Sequence, residues 1–319
     1  MLLKVENLQT HLHLKRGVLR AVDGISLEVG EGETLGLVGE SGSGKTLTGL
    51  SLLRLLPKGS GRIVGGSVAL DGQELTTLSE SAMAHDIRGK RIAMIMQDPM
   101  TSLNPVFSIG DQVGNPLRNH EIARGAALRS AVVDVLSRVR IPSPDKRLGD
   151  YPHQFSGGQR QRIVAAMAIG CTPRLLVADE PTTALDVTIQ VQIIALLRQI
   201  QADTGAGIIL ITHDLGVAAS LCRRIAVMYA GQIVETGPVR QIYRAPAHPY
   251  TQALLAAIPR LGQKRTRLAA IPGQPPSLID PPTGCRFAAR CPVRMDKCAE
   301  APPTTVLGDG HSAACWKLA

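Results

Sequence analysis

The sequence predicts an α/β fold: a parallel-strand core around a phosphate-binding loop, an antiparallel β portion, a helical insert, and a loop-rich C-terminal extension carrying cysteines. Three observations carry this prediction. Thr34–Val38 is a short apolar run leading directly into Gly39-Glu40-Ser41-Gly42-Ser43-Gly44-Lys45-Thr46 and then a helical stretch. Leu175–Ala178 and Ile208–Ile211 are short apolar runs flanked by helical sequence, as expected of central parallel strands. Near residue 238 the composition shifts: twelve of the 21 prolines lie from Pro238 onward, and such text sustains neither long helices nor central strands.

In chain order, Leu3–Leu8, Val18–Val22 and Ile25–Val29 read as strands, with a turn at Glu31-Gly32-Glu33 before Thr34–Val38. Lys45–Leu56 reads as a helix stopped by Pro57 and Gly59, and Ser67–Leu70 as a strand entering the Asp71-Gly72 turn. Residues 105–155 look helical, most clearly Ala126–Val139, where Leu128, Val132, Val135, Leu136 and Val139 recur at helical spacing until Pro142 and Pro144. Ile225–Met228 and Gln232–Val234 read as a hairpin around Ala230-Gly231. The division expected is a domain over 1–240 and an extension over 241–319. An extension of that size has too little core to stand alone and needs a staple.

Composition narrows the function. A hydrophobic content of 44% supports a substantial core. The N-terminus reads as a charged strand rather than a secretory signal. Uncharged stretches such as Ile163–Pro173 and Ala245–Pro259 fall short of the ~18–20 apolar residues a membrane span needs, so a membrane role is expected to be peripheral. The net charge of +9 favours anionic surfaces. No Lys/Arg run is interleaved with aromatics, which speaks against nucleic acid.

Four motifs carry chemistry. Gly39–Thr46 fits G-x-x-x-x-G-K-[ST]: the glycines let backbone amides wrap phosphate, the following helix presents its positive end, Lys45 neutralises the outer phosphates, and the Thr46 hydroxyl ligates Mg²⁺. The run Arg174–Glu180 is an apolar strand ending in two acids, Asp179 to hold Mg²⁺ and Glu180 to polarise the attacking water. Ser156-Gly157-Gly158-Gln159, after Phe155, opens another helix and forms a second anion cradle; its plainer reading is a helix cap with Ser156 as N-cap. Two cradles in one fold make sense if the second serves the nucleotide of a partner. Cys285, Cys291, Cys298 and Cys315 follow C-x5-C-x6-C-x16-C. That spacing is wider than the pairs of structural zinc sites and suits an iron–sulfur cluster; zinc is the second reading, disulfides or free thiols the third. Cys171 and Cys222 read as core residues.

The ordered set resembles the ATP-binding cassette (ABC) subunits of transporters. Gly39–Thr46 resembles Walker A, Asp179 and Glu180 resemble Walker B with the catalytic glutamate, and Ser156–Gln159 resembles the signature motif. Gln97, closing the strand Ile92–Met96, resembles the Q-loop glutamine that senses Mg²⁺ and the membrane partner. Ala184-Leu185-Asp186 resembles the D-loop, and His213 the switch histidine at the γ-phosphate. Met96–Pro105, Ala247-His248-Pro249-Tyr250-Thr251 and the segment Gly284–Pro292 resemble the oligopeptide/dipeptide importer branch, some members of which carry a [4Fe–4S] cluster in a cysteine-rich tail. The family usually stacks adenine on an aromatic residue, but Thr10–Arg20 contains no Phe, Tyr or Trp, leaving Leu12, His13 or Val18 to contact the base.

The resemblance implies an ABC-type P-loop ATPase core with an antiparallel β subdomain, a helical signature subdomain and the cysteine-bearing extension. Its cofactors are ATP, Mg²⁺ and a [4Fe–4S] cluster, with Zn²⁺ as the alternative. Its partners are a second cassette, identical or homologous, two transmembrane permease subunits, and indirectly an extracytoplasmic solute-binding protein. The implied place is the cytoplasmic face of a bacterial plasma membrane and the implied role is peptide import. The alternatives are import of a nickel chelate or glutathione, or a soluble cassette acting on nucleic acid or ribosomes.

Overall fold

The computed structural model describes residues 1–183, 186–258 and 271–319. The chain divides into two compact units, one of Met1–Leu2, Val29–Glu33 and Thr77–Leu210, the other of Leu3–Glu28, Thr34–Thr76 and Ile211–Ala319.

In the first unit, Leu175–Asp179 is buried at all five positions and lies between Ile92–Ile95 and Gly207–Thr212. It runs parallel to Ile92–Ile95, in register from Ile92↔Leu175 to Ile95↔Ala178. Continuous apolar runs of this kind belong to strands covered on both faces. The helical insert comprises Ile109–Asn119 and Gly125–Arg138, the second within one residue of the predicted Ala126–Val139. It stops because Arg140 turns left-handed, with φ 60°, just before Pro142. Helix Gly157–Ile169 buries Ile163, Val164, Ala165 and Ala166. Helix Val187–Thr204 starts on an Asp186 N-cap and ends at Gly205, whose φ of 68° suits a C-terminal cap.

The second unit holds the antiparallel sheet, ordered Gly17–Val29, Leu3–Leu14, Gly61–Leu70, Gln73–Glu74. The last two strands meet at the predicted Asp71-Gly72 turn, where both residues have positive φ. Thr34–Val38, buried throughout, pairs in parallel with Arg224–Tyr229. Antiparallel Gln232–Pro238 follows, completing the predicted hairpin. The helix after the phosphate loop runs Lys45–Leu52, four residues shorter than the sequence suggests. Arg54 takes φ 52° and donates to Leu75 O at 3.2 Å, which ends the helix before Pro57 is reached.

The C-terminal segment folds within this second unit. Thr304–Gly308 and His311–Ala314 form a hairpin that extends the sheet beyond Gln232–Pro238, pairing Glu235 with Ala313 and Thr236 with Ser312. Tyr229, Tyr250 and Phe287, all fully buried, pack with ring centroids 4.5 to 5.4 Å apart. The buried Glu235 carboxylate accepts from the Ala247 and His248 backbone N–H groups at 2.8 and 2.9 Å and lies 2.7 Å from His311 Nε2. Among the described residues no helix is long and apolar enough to cross a membrane.

Candidate nucleotide-binding site

The phosphate loop follows the buried strand Thr34–Val38 and opens helix Lys45–Leu52 at Gly44. Two glycines are obligatory. A Cβ at Gly39 would lie 2.1 Å from Met228 O, and one at Gly44 2.2 Å from Ala21 O; Gly44 also has φ 107°. Neither position tolerates even alanine without moving a backbone carbonyl. Lys45 is buried, its Nζ donating to Gly39 O at 2.8 Å and Glu40 O at 2.9 Å. The loop thus wraps its own lysine, while Ser41, Gly42 and Thr46 face solvent. The Gly231 N–H donates to Ser43 O at 2.8 Å and fastens the loop from behind.

Asp179 and Glu180 lie in the first unit. Asp179 ends its strand fully buried. Glu180 adopts φ 44°, a left-handed conformation that is costly for a residue with a side chain and concentrates at functional positions. Its Oε2 accepts from Gln97 Nε2 at 3.0 Å and from Thr183 Oγ1 at 2.8 Å. Gln97 and Glu180 each stand two residues beyond the Ile95↔Ala178 pair, so the parallel register itself brings together side chains 83 positions apart.

The signature segment is a reciprocal cap. Ser156 Oγ accepts from Gln159 N–H at 3.3 Å while Gln159 Oε1 accepts from Ser156 N–H at 3.1 Å. Phe155 is buried beneath the Arg147 guanidinium, 3.9 Å from its ring centroid. Ser156 and Gly157 are exposed, with nothing within 4 Å of a Cβ built at Gly157, whereas Gly158 is pressed against Ile189. Of the D-loop, Asp186 accepts from Ile189 N–H at 2.9 Å, and Ala184 and Leu185 lie outside the described residues. His213, in the second unit, is exposed at the end of Gly207–Thr212. Of the residues expected near adenine, His13 and Val18 are exposed and Leu12 is half-buried.

Cys285, Cys291, Cys298 and Cys315 all belong to the C-terminal segment. The Cys285 N–H donates to Cys298 O at 3.0 Å. Burial raises the Cys285 and Cys291 thiols first, and each is raised further by charge on the other cysteines of the set. Among the described residues no three His, Cys, Asp or Glu side chains are gathered to hold a metal ion. Cys222 is a core thiol, as the sequence suggests, pushed up to about 12 by burial.

Sequence reasoning missed one feature of the site. Glu40, inside the phosphate loop, is held by two residues of the C-terminal segment. The Arg290 guanidinium meets its carboxylate with both arms, at 2.7 and 3.0 Å, and the Glu40 N–H donates to Tyr250 Oη at 2.8 Å. Both residues fall in segments that mark the importer branch, but no local pattern pointed to the loop.

A model of the ABC transporter family matches residues 22–183, and one of the oligopeptide/dipeptide transporter C-terminal region matches 234–298. A probable peptide ABC transporter ATP-binding protein of Sinorhizobium fredii is 49% identical, over 99% of this chain and 95% of its own. The dipeptide transport ATP-binding proteins of Bacillus subtilis and Escherichia coli are 49% and 47% identical, each over 98% of this chain and over 94% and 96% of their own. A dimeric post-hydrolysis structure of the ATP-binding cassette MJ0796 with ADP and Pi aligns with a TM-score of 0.65 at 25% identity, over 75% of this chain and 99% of that one. The chain belongs to the ABC transporter family, as an ATP-hydrolysing cassette subunit followed by the oligopeptide/dipeptide transporter C-terminal region.

Proposed function

We propose that this chain is the ATPase subunit of an importer for dipeptides or oligopeptides, seated on the cytoplasmic face of a bacterial plasma membrane. Residues 1–240 form the nucleotide-binding domain and 241–319 the extension. It pairs with a second cassette, identical or homologous, and drives two transmembrane permease subunits served by a separate solute-binding protein. The near full-length likeness to dipeptide transport subunits supports this reading over a cassette acting on nucleic acid or ribosomes, or one carrying a nickel chelate or glutathione.

The contact between Gln97 and Glu180 carries the hydrolytic reading. Gly39–Thr46 hold the phosphates, Lys45 leaving its loop carbonyls for them. Thr46, Asp179 and Gln97 would hold Mg²⁺ through oxygen donors, the type it prefers, and when bound it would supply neutralisation of phosphate charge. Glu180 accepts a proton from the attacking water, and Gln97 keeps that carboxylate oriented. His213 contacts the γ-phosphate, and Asp186 fixes the start of helix Val187–Thr204 near the dimer seam. Exposed Ser156 and Gly157, with Gly158 and Gln159, present the helix start to the partner's nucleotide. Glu180→Gln keeps shape and hydrogen bonding but removes the base. Turnover of the assembled transporter is expected to fall by roughly 10²-fold or more while ATP stays bound; a wild-type rate would refute the assignment.

The four tail cysteines hold a [4Fe–4S] cluster in this reading. What supports it is the spacing C-x5-C-x6-C-x16-C, wider than the ligand pairs of structural zinc sites. Protein purified without oxygen should be brown, with about four irons per chain; one zinc and no colour would move the assignment to zinc.

A further inference from the structure

We infer that Arg290, assisted by Tyr250, is a positioning residue for ATP binding: it neutralises Glu40 and fixes the entry of the phosphate loop from the C-terminal segment. This rests on the reading of Gly39–Thr46 as the ATP phosphate site. An acid in the second position of a loop that must receive a polyanion is an electrostatic obstacle, because each added negative charge repels the phosphates. The structure removes that obstacle locally. Five hydrogen bonds leave the Arg290 guanidinium: two to Glu40, one to Tyr229 Oη at 3.3 Å, one from Nε to Pro272 O at 3.0 Å and one to Ile271 O at 3.2 Å. The arginine side chain is 5% exposed and the glutamate 27%. Its fork is therefore immobilised before it meets the carboxylate, the condition under which a bidentate pair gives geometry as well as charge.

Tyr250 acts on the backbone of the same residue. Its hydroxyl, fully buried, accepts the Glu40 N–H and holds the loop entry where the chain leaves Thr34–Val38. Pro275 and Pro276 line, together with Ser41 and Ser43, a cavity of about 20 Å³. The C-terminal segment thus touches the loop through a charge pair and a backbone hydrogen bond.

The test is equilibrium binding of ATP and AMP to the purified full-length chain, for wild type, Arg290→Gln, Arg290→Lys, Glu40→Gln and the double variant Glu40→Gln/Arg290→Gln. Arg290→Gln exposes the Glu40 charge and should weaken ATP binding by about five- to tenfold, the scale of one unit charge at partly screened distance. The loss should shrink as salt is raised and be small for AMP, which lacks the outer phosphates. Arg290→Lys, which restores the charge without the fork, should recover part of the affinity. In the Glu40→Gln background, Arg290→Gln should add no further loss. A purely structural arginine would give losses that add in the double variant, ignore salt and strike AMP equally, and that result overturns the inference. So does an Arg290→Gln affinity within about twofold of wild type, a change too small for a neutralising partner. A wild-type chain that binds no ATP would instead refute the phosphate-loop reading.

Discussion

His248 gives the C-terminal segment a pH dependence whose size the structure sets. The residue is 1% exposed, and its Nδ1 accepts the Tyr250 N–H at 3.0 Å. An Nδ1 that accepts a hydrogen bond carries no proton, so the ring is neutral with its proton on Nε2. Burial lowers its pKa from 6.5 to about 4, opposed by the charge of Glu235, whose carboxylate accepts the His248 backbone N–H. Because the folded value lies below the unfolded one, only the unfolded chain takes up the proton between those limits. Stability is therefore full above about pH 6.5 and falls as pH drops toward about 4, by at most about 3 kcal/mol. The protein supplies its own reporter: Trp316, its one tryptophan, lies in this segment with Nε1 donating to Glu300 O at 3.0 Å. Urea unfolding followed by Trp316 fluorescence from about pH 7.5 to about pH 4.5 should show the decline. His248→Asn keeps an acceptor for Tyr250 but does not titrate, and its transition should be flatter across that window. The difference between the two curves isolates His248 from every group that both proteins retain. Equal slopes would show that the imidazole is not held neutral and would refute the reasoning.

Two further outcomes follow from the same geometry. Cys222, buried and pushed up to about 12, should resist iodoacetamide in the native protein at neutral pH and react on unfolding, as read by mass spectrometry of the labelled peptides; rapid native labelling would contradict its core placement. Gly44→Ala should abolish ATP binding, since its Cβ would sit 2.2 Å from Ala21 O at a φ of 107°; near-normal binding by calorimetry would show that the loop yields there.

What the sequence disclosed follows from the range of the interactions. The phosphate loop was legible because its chemistry is local: eight consecutive residues specify the turn, the lysine and the helix start. The strands Thr34–Val38 and Leu175–Asp179 were legible because burial on both faces leaves continuous apolar runs. Gln97 was nameable only by resemblance, since its contact with Glu180 depends on a parallel register that a single sequence does not display. The helix after the loop was read too long because Arg54, an ordinary helix former, turns left-handed to reach Leu75 O. The C-terminal hairpin did leave a signal, Asp309-Gly310, both with positive φ and placed between Thr304–Gly308 and His311–Ala314. A proline-rich context masked it.

The C-terminal segment changes most between sequence and structure, and the difference bears on what its cysteines do. Cysteines looked necessary because the segment, taken alone, lacks a core. In the fold it does not stand alone. Three of the chain's eight aromatic side chains, Tyr229, Tyr250 and Phe287, meet in one fully buried cluster. Arg286 reaches back to Asp23 and Ala230 O, and Arg290 to Glu40. These residues bracket the first two cysteines: Arg286 follows Cys285 directly and Arg290 directly precedes Cys291. A cluster bound by those thiolates would therefore brace the short loop that aims both arginines, while the aromatic contacts hold the segment in place without it. The folding task such a cluster would have narrows accordingly, from stapling eighty residues to setting two guanidinium groups, one of which is bonded to Glu40 of the phosphate loop.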